Sequence, residues 1–156
     1  MAEINYRKLR SDETDLIVNY RIAFLRELQG RQTEEKEIIL RKYLTEYFQK
    51  ALKDNTFIGW VAESDSKPVG FGGMVVQQIP GHFGILSGRV GYILNMYTIP
   101  GYRNKGIGSG IIDRFIEDGK QLGLSKVYLH ASNDGITLYR KKGFIEADMP
   151  ELEFKL

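Results

Sequence analysis

The chain has 156 residues, 42% hydrophobic and 27% charged, with a formal net charge of +2; that is the size and balance of one folded domain, 1–156, with no room for a second ordinary one. With no cysteine and only two histidines, His82 and His130, disulfides, thiolate nucleophiles and thiolate metal sites are excluded, and no metal is expected. The small charge argues against a nucleic-acid face, no apolar run approaches a membrane span, and "MAEINYRKLR" lacks the apolar centre of a signal peptide, so a cytoplasmic protein with neither nucleic acid nor membrane as partner is expected.

"INYRKL" (4–9) alternates apolar and polar residues and predicts a first strand. "SDET" then offers capping residues, and Leu16, Ile17, Tyr20, Phe24, Leu25 and Leu28 recur at helical spacing until Gly30. Thr33 ahead of Glu34 and Glu35 puts a cap and acidic residues where a helix dipole favours them. The stripe Ile39, Tyr43, Leu44, Tyr47, Phe48, Ala51 and Leu52 predicts a second helix over 34–53. "TFIGWVAE" (56–63) and "PVGFGGMVVQQ" (68–78) flank the turn-like "SDSK" and predict a hairpin, with Gly70, Gly72 and Gly73 marking a bulge or a close approach. A surface loop follows (79–88), then a third long strand (89–99), a helix (107–122), the strand "KVYLHAS" (126–132), a short helix (134–142) and two closing strands, "FIEAD" (144–148) and "ELEFKL" (151–156). The order is mixed α/β, antiparallel in its first half, with one β-α-β crossover after Ile99.

The chemistry concentrates in "YTIPGYRNKGIGSGII" (97–112). A strand that turns directly into a helix presents free amides at the positive end of the helix dipole, which suits a phosphate. Gly106, Gly108 and Gly110 would remove the side chains that keep a phosphate away. The dinucleotide fingerprint fails because Ile111 stands where a glycine is needed, and the P-loop fails for want of a Gly-Lys-Ser/Thr run.

Arg103-Asn104-Lys105-Gly106-Ile107-Gly108 matches the Arg/Gln-x-x-Gly-x-Gly/Ala signature of the GCN5-related N-acetyltransferase (GNAT) superfamily, and "NMYTIPGYR", "SGII" and the downstream "LHASNDGITLYRKKGF" resemble the same family. The resemblance runs from about Tyr92 to Leu156. It implies a mixed, mostly antiparallel sheet flanked by helices and splayed between the strands at 89–99 and 124–131. It also implies an acetyl-CoA-dependent N-acetyltransferase in which a primary amine of a small molecule or a protein attacks directly, in a ternary complex and without metal. Backbone groups of Met96, Tyr97 and Thr98 would pair with the pantetheine arm, and the loop Arg103, Asn104, Lys105, Gly106, Ile107, Gly108 and Ser109 would hold the pyrophosphate, with Asn133 as a further CoA contact. Tyr139 matches the tyrosine that protonates the departing thiolate; the residues alone also allow a core tyrosine. Some relatives carry a glutamate base at the position of Tyr128, and there the asparagine stands one residue further from the tyrosine than Asn133 does from Tyr139. A base acting through water is therefore expected, with Glu27 and His130 as candidates on the acceptor side. The alternative is a module of this fold that binds acyl-CoA as a sensor or structural ligand without transfer. A monomer or a homodimer is expected.

Overall fold

Alternation of apolar and polar residues becomes five strands that lie side by side in chain order. The computed structural model describes residues 3–156. Its elements are β1 (Ile4–Lys8), α1 (Thr14–Gln29), α2 (Glu34–Lys53), β2 (Phe57–Ser64), β3 (Lys67–Gln78), β4 (Arg89–Thr98), a single 3-10 turn (Pro100–Tyr102), α3 (Ile107–Gln121), β5 (Lys126–Leu129) and α4 (Ile136–Lys141). The first four strands pair antiparallel, and β5 joins β4 in parallel after the α3 crossover.

Helices cover both faces. Phe57, Val61 and Phe71 turn to α1 and α2, meeting Ile17, Ile22, Leu44 and Phe48. Ala62, Val69, Met74 and Ile93 turn the other way, onto Ile107, Ile111, Ile112 and Phe115 of α3. The period of two along each strand therefore feeds two cores. Glycine lets α3 lie close: a Cβ on Gly70 would stand 2.4 Å from Ile107 Cγ2, and one on Gly72 would stand 2.6 Å from Ile111 Cγ2. The bulge expected in β3 is present too, Val69 standing extra beside Gly70 where the register with β2 shifts, and a second bulge falls on the facing strand. Asn95 and Met96 of β4 together oppose Gly72, where the register between β3 and β4 shifts, and Asn95 takes φ 60°.

Helix α2 begins as its sequence implies, with Thr33 Oγ1 accepting from the Lys36 amide at 3.3 Å. Helix α1 does not: no side chain caps it. Glu13 instead accepts from the Arg10 amide at 2.8 Å and from two guanidinium nitrogens of Arg7 at 2.9 Å, which ties the helix start to β1.

Two expectations at the end of the chain are corrected. Residues 144–148 and 151–156 form no strand; they run irregularly, with Ile145, Leu152, Phe154 and Leu156 exposed. An alternating pattern makes a strand only where a neighbour answers its amides and carbonyls, and β5 pairs with β4 alone. The strand at 126–132 likewise stops at Leu129, and the short helix covers 136–141 rather than 134–142.

Candidate active site

Strands β4 and β5 share only the pairs Val90↔Lys126 to Ile93↔Leu129. Past Ile93, β4 continues to Thr98 with β3 on one side and, among the described residues, no strand paired on the other. The splay expected between these strands is therefore present, and Met96, Tyr97 and Thr98 lie on its open edge.

At the end of that edge Pro100 fixes the backbone of a 3-10 turn, and the chain leaves the sheet. Asn104 (φ 61°) and Gly106 (φ 79°) take left-handed backbone, and no side chain caps α3. The first amide bonded back into this end is that of Gly110, which reaches the Gly106 carbonyl at 3.0 Å. The amides of 107–109 thus have no acceptor within the helix and stand at its positive end.

The three glycines serve different ends. Gly106 supplies a left-handed turn that an L side chain resists. A Cβ on Gly108 would meet only Leu138 Cδ2, at 3.4 Å, whereas one on Gly110 would stand 2.3 Å from the Tyr6 hydroxyl. Gly110 is bare for packing against β1, which departs from the expectation that all three clear space for a ligand.

The charged neighbours tie this loop to α1. Arg103 Nε donates to the Thr98 carbonyl at 2.8 Å, and its Nη2 reaches both Glu27 oxygens at 2.7 and 2.6 Å. The Glu27 carboxylate holds the guanidinium above its ordinary pKa. Lys105 Nζ donates to the Gly101 carbonyl at 3.0 Å. Asn133 lies exposed in the turn ahead of α4, a turn closed by the Gly135 amide donating to Ser132 Oγ at 3.2 Å. Tyr139 is partly buried on α4, its ring edge-on to Phe144 at 5.9 Å. Burial pushes its phenol above the usual value of 10.0, so it keeps its proton at neutral pH.

His130 stands one residue beyond the last β4–β5 pair. Its Nε2 meets Glu151 at 2.8 Å and its Nδ1 meets the Tyr92 hydroxyl at 2.9 Å. An ionised carboxylate can only accept, so Nε2 carries a proton, and in the neutral ring Nδ1 is then the acceptor for the Tyr92 hydroxyl. Tyr92 stacks on Tyr128, whose hydroxyl donates to Gln77 Oε1 at 2.7 Å. On the α1 face, Arg21 Nη1 donates to Asn95 Oδ1. Asn95 is 2% exposed, and its Nδ2 has no partner among the described residues; an orphaned buried donor costs about 1–3 kcal/mol.

Sequence reading passed over Arg21, Tyr92, Asn95 and Glu151. Two of these carried a signal: Arg21 interrupts the apolar face of α1, three and four residues after the buried Val18 and Ile17, and Asn95 is a lone amide inside an otherwise apolar strand. Glu151 had none, because its place depends on how the last residues run.

A helix-flanked sheet that opens between two parallel strands, with a bare helix start at the mouth, is an acetyltransferase fold. The chain belongs to the Acetyltransferase (GNAT) family, whose profile matches residues 22–144. It is 33% identical to a predicted acetyltransferase from Clostridium acetobutylicum solved with acetyl-CoA, with a TM-score of 0.86 over 97% of this chain and 96% of that one. It is 26% identical to a GCN5-related N-acetyltransferase from Ralstonia eutropha JMP134, with a TM-score of 0.85 over 97% and 99% of the two chains. Glucosamine-6-phosphate N-acetyltransferase from Arabidopsis thaliana shares the fold at 18% identity, with a TM-score of 0.70 over 97% and 98%. No curated protein matches the sequence. Among the described residues no helix is long and apolar enough to cross a membrane, and no group of metal-ligating side chains is gathered.

Proposed function

We propose that this protein is an N-acetyltransferase that uses acetyl-CoA to acetylate a primary amine. The observation that carries the reading is the open edge of β4 running into the uncapped start of α3. That edge offers Met96, Tyr97 and Thr98 as main-chain partners for an extended pantetheine arm, as an added strand would be held. The amides from Asn104 to Ser109, beside Arg103 and Lys105, would hold the pyrophosphate, and Asn133 is a further candidate contact. Acetyl-CoA supplies an activated acetyl thioester.

The chain's own groups then have two protons to move. As the acceptor nitrogen bonds to the acetyl carbon and the carbon–sulfur bond breaks, Tyr139 gives its phenolic proton to the leaving thiolate. The amine proton goes to a base, through water. Of the two candidates, Glu27 is held at both oxygens by Arg103, whereas a neutral His130, its Nε2–H on Glu151, takes the proton at Nδ1 by way of the Tyr92 hydroxyl, so His130 is the base we assign, with Tyr92 as its relay. Asn104 and Gly106 cost the chain backbone freedom on any reading, but a helix start left bare beside Lys105, whose partner is only a carbonyl, favours an anion there.

Isothermal titration with acetyl-CoA and CoA, with NAD and ATP as controls, tests the reading. Stoichiometric binding of the CoA compounds alone is expected; no binding would remove the cradle. Binding without acetylation of any amine would leave the chain an acyl-CoA-binding module. Exposed Leu152, Phe154 and Leu156, together with an outer edge of β5 that no strand pairs among the described residues, favour the homodimer over the monomer, which sedimentation of the full chain decides.

A further inference from the structure

Arg21 is the charge that the catalytic reading does not use. It is partly buried on the inner side of α1, and no carboxylate lies within ion-pair distance of it among the described residues. Other shielded cations are answered: Arg7 by Glu13 and Glu63, and Arg114 by the Tyr6 ring, 3.7 Å from its guanidinium carbon. Among the described residues the side-chain hydrogen-bond partner of Arg21 is the Asn95 carboxamide, whose oxygen it occupies and whose buried nitrogen is left with nothing to donate to. Burial holds its guanidinium below the ordinary arginine value, and the phenols of Tyr47 and Tyr92 lie nearby.

These groups gather at one place in the fold. Asn95 forms the β4 bulge two residues past the last pair with β5, so Arg21 faces the slot from the α1 side. The bare helix start belongs to α3, on the opposite face of the sheet. The two faces thus carry separate positive sites. The α1 site presents guanidinium and amide donors and two phenols; Glu151 stands behind it, reached only through Tyr92 and His130, and pairs with the imidazole rather than with Arg21. One uncompensated cation beside a carboxamide suits a planar group of single charge, and a guanidinium fork matches a carboxylate. A phosphate monoester would bring nearly two charges against one.

We propose that Arg21 and Asn95 bind the carboxylate of the acceptor, and that the amine acetylated is that of a free amino acid or a similar small amino carboxylate. Arg21 is then the residue that sets specificity. The proposal rests on the acetyltransferase reading, and its test separates the two.

The test compares amino acids with the amines made by removing their carboxylates, such as leucine with 3-methylbutylamine and phenylalanine with 2-phenylethylamine. The wild-type protein should favour the amino acid at least tenfold in kcat/KM, and Arg21→Met should cut that ratio at least tenfold. Asn95→Asp sets a carboxylate against Arg21 inside the protein and should erase the preference as well, without depending on how the methionine variant packs. A binding readout runs beside turnover. With CoA present, N-acetyl-leucine should bind the wild type by isothermal titration at least tenfold more tightly than N-(3-methylbutyl)acetamide, and Arg21→Met should remove the difference. The proposal is overturned if simple amines are used as well as amino acids. It is equally overturned if a protein that binds acetyl-CoA neither acetylates any amino acid nor binds its N-acetyl product. Failure to bind acetyl-CoA at all would instead bring down the transferase reading.

Discussion

Tyr139 keeps its proton because burial disfavours the phenolate, and that is the condition an acid must meet at neutral pH. Tyr139→Phe should lower kcat by roughly ten- to a thousandfold while acetyl-CoA affinity by titration stays within about twofold; equal rates would return the residue to a packing role. The sign of the pH effect follows from the same shift. A phenol raised above its ordinary value is protonated across the neutral range, so the Tyr139 limb of the rate profile should fall only above pH 10.0. Gly108 poses the complementary question. A Cβ there meets only Leu138 Cδ2, at 3.4 Å, so Gly108→Val should fold and yet lose acetyl-CoA by intrusion on the cradle. An unchanged dissociation constant would remove the 104–109 amides from the argument.

Among elements, α3 depends on the bare surface of β3 beneath it. Gly72→Val would press on Ile111, Met96 and Phe115, all within 3 Å of the added Cβ, and should cost about 1–3 kcal/mol of stability by overpacking, measured by denaturant unfolding. Much of this architecture was legible in the sequence. The bounds of α2 follow from Thr33 and its acidic first turn, and the bulge and close approach follow from Gly70, Gly72 and Gly73. Local chemistry fixes such features, so a local reading finds them. The closing strands were misread for the opposite reason: "ELEFKL" alternates well, but pairing depends on a distant neighbour that periodicity does not report. The pairing of Arg21 with Asn95 was invisible on the same ground, being a contact between elements 74 residues apart.

For the molecule as a whole, the link between β1 and α1 sets a response to acid. Burial opposes ionisation of Glu13, but the Arg7 guanidinium and the Arg10 amide outweigh it and hold the carboxyl below its usual 4.5. A carboxyl depressed by folding contributes stability above its unfolded value and loses it as pH falls through the folded one. Glu13→Gln should therefore cost about 1–3 kcal/mol at pH 7, and the gap from wild type should close below pH 4.5, as read from urea midpoints across pH. The largest consequence lies in the opening of the sheet. Only four residue pairs fasten β5 to its neighbour, so this strand should open more readily than the antiparallel meander, and its amides should trade their hydrogens for deuterium soonest among the strands. A ligand laid along the bare edge of β4 would complete the missing ladder, and exchange at the β4 edge and the start of α3 should slow together when it binds. On this view the substrate serves as the sheet's absent strand, and catalysis takes place at a seam that the polypeptide by itself leaves unsewn.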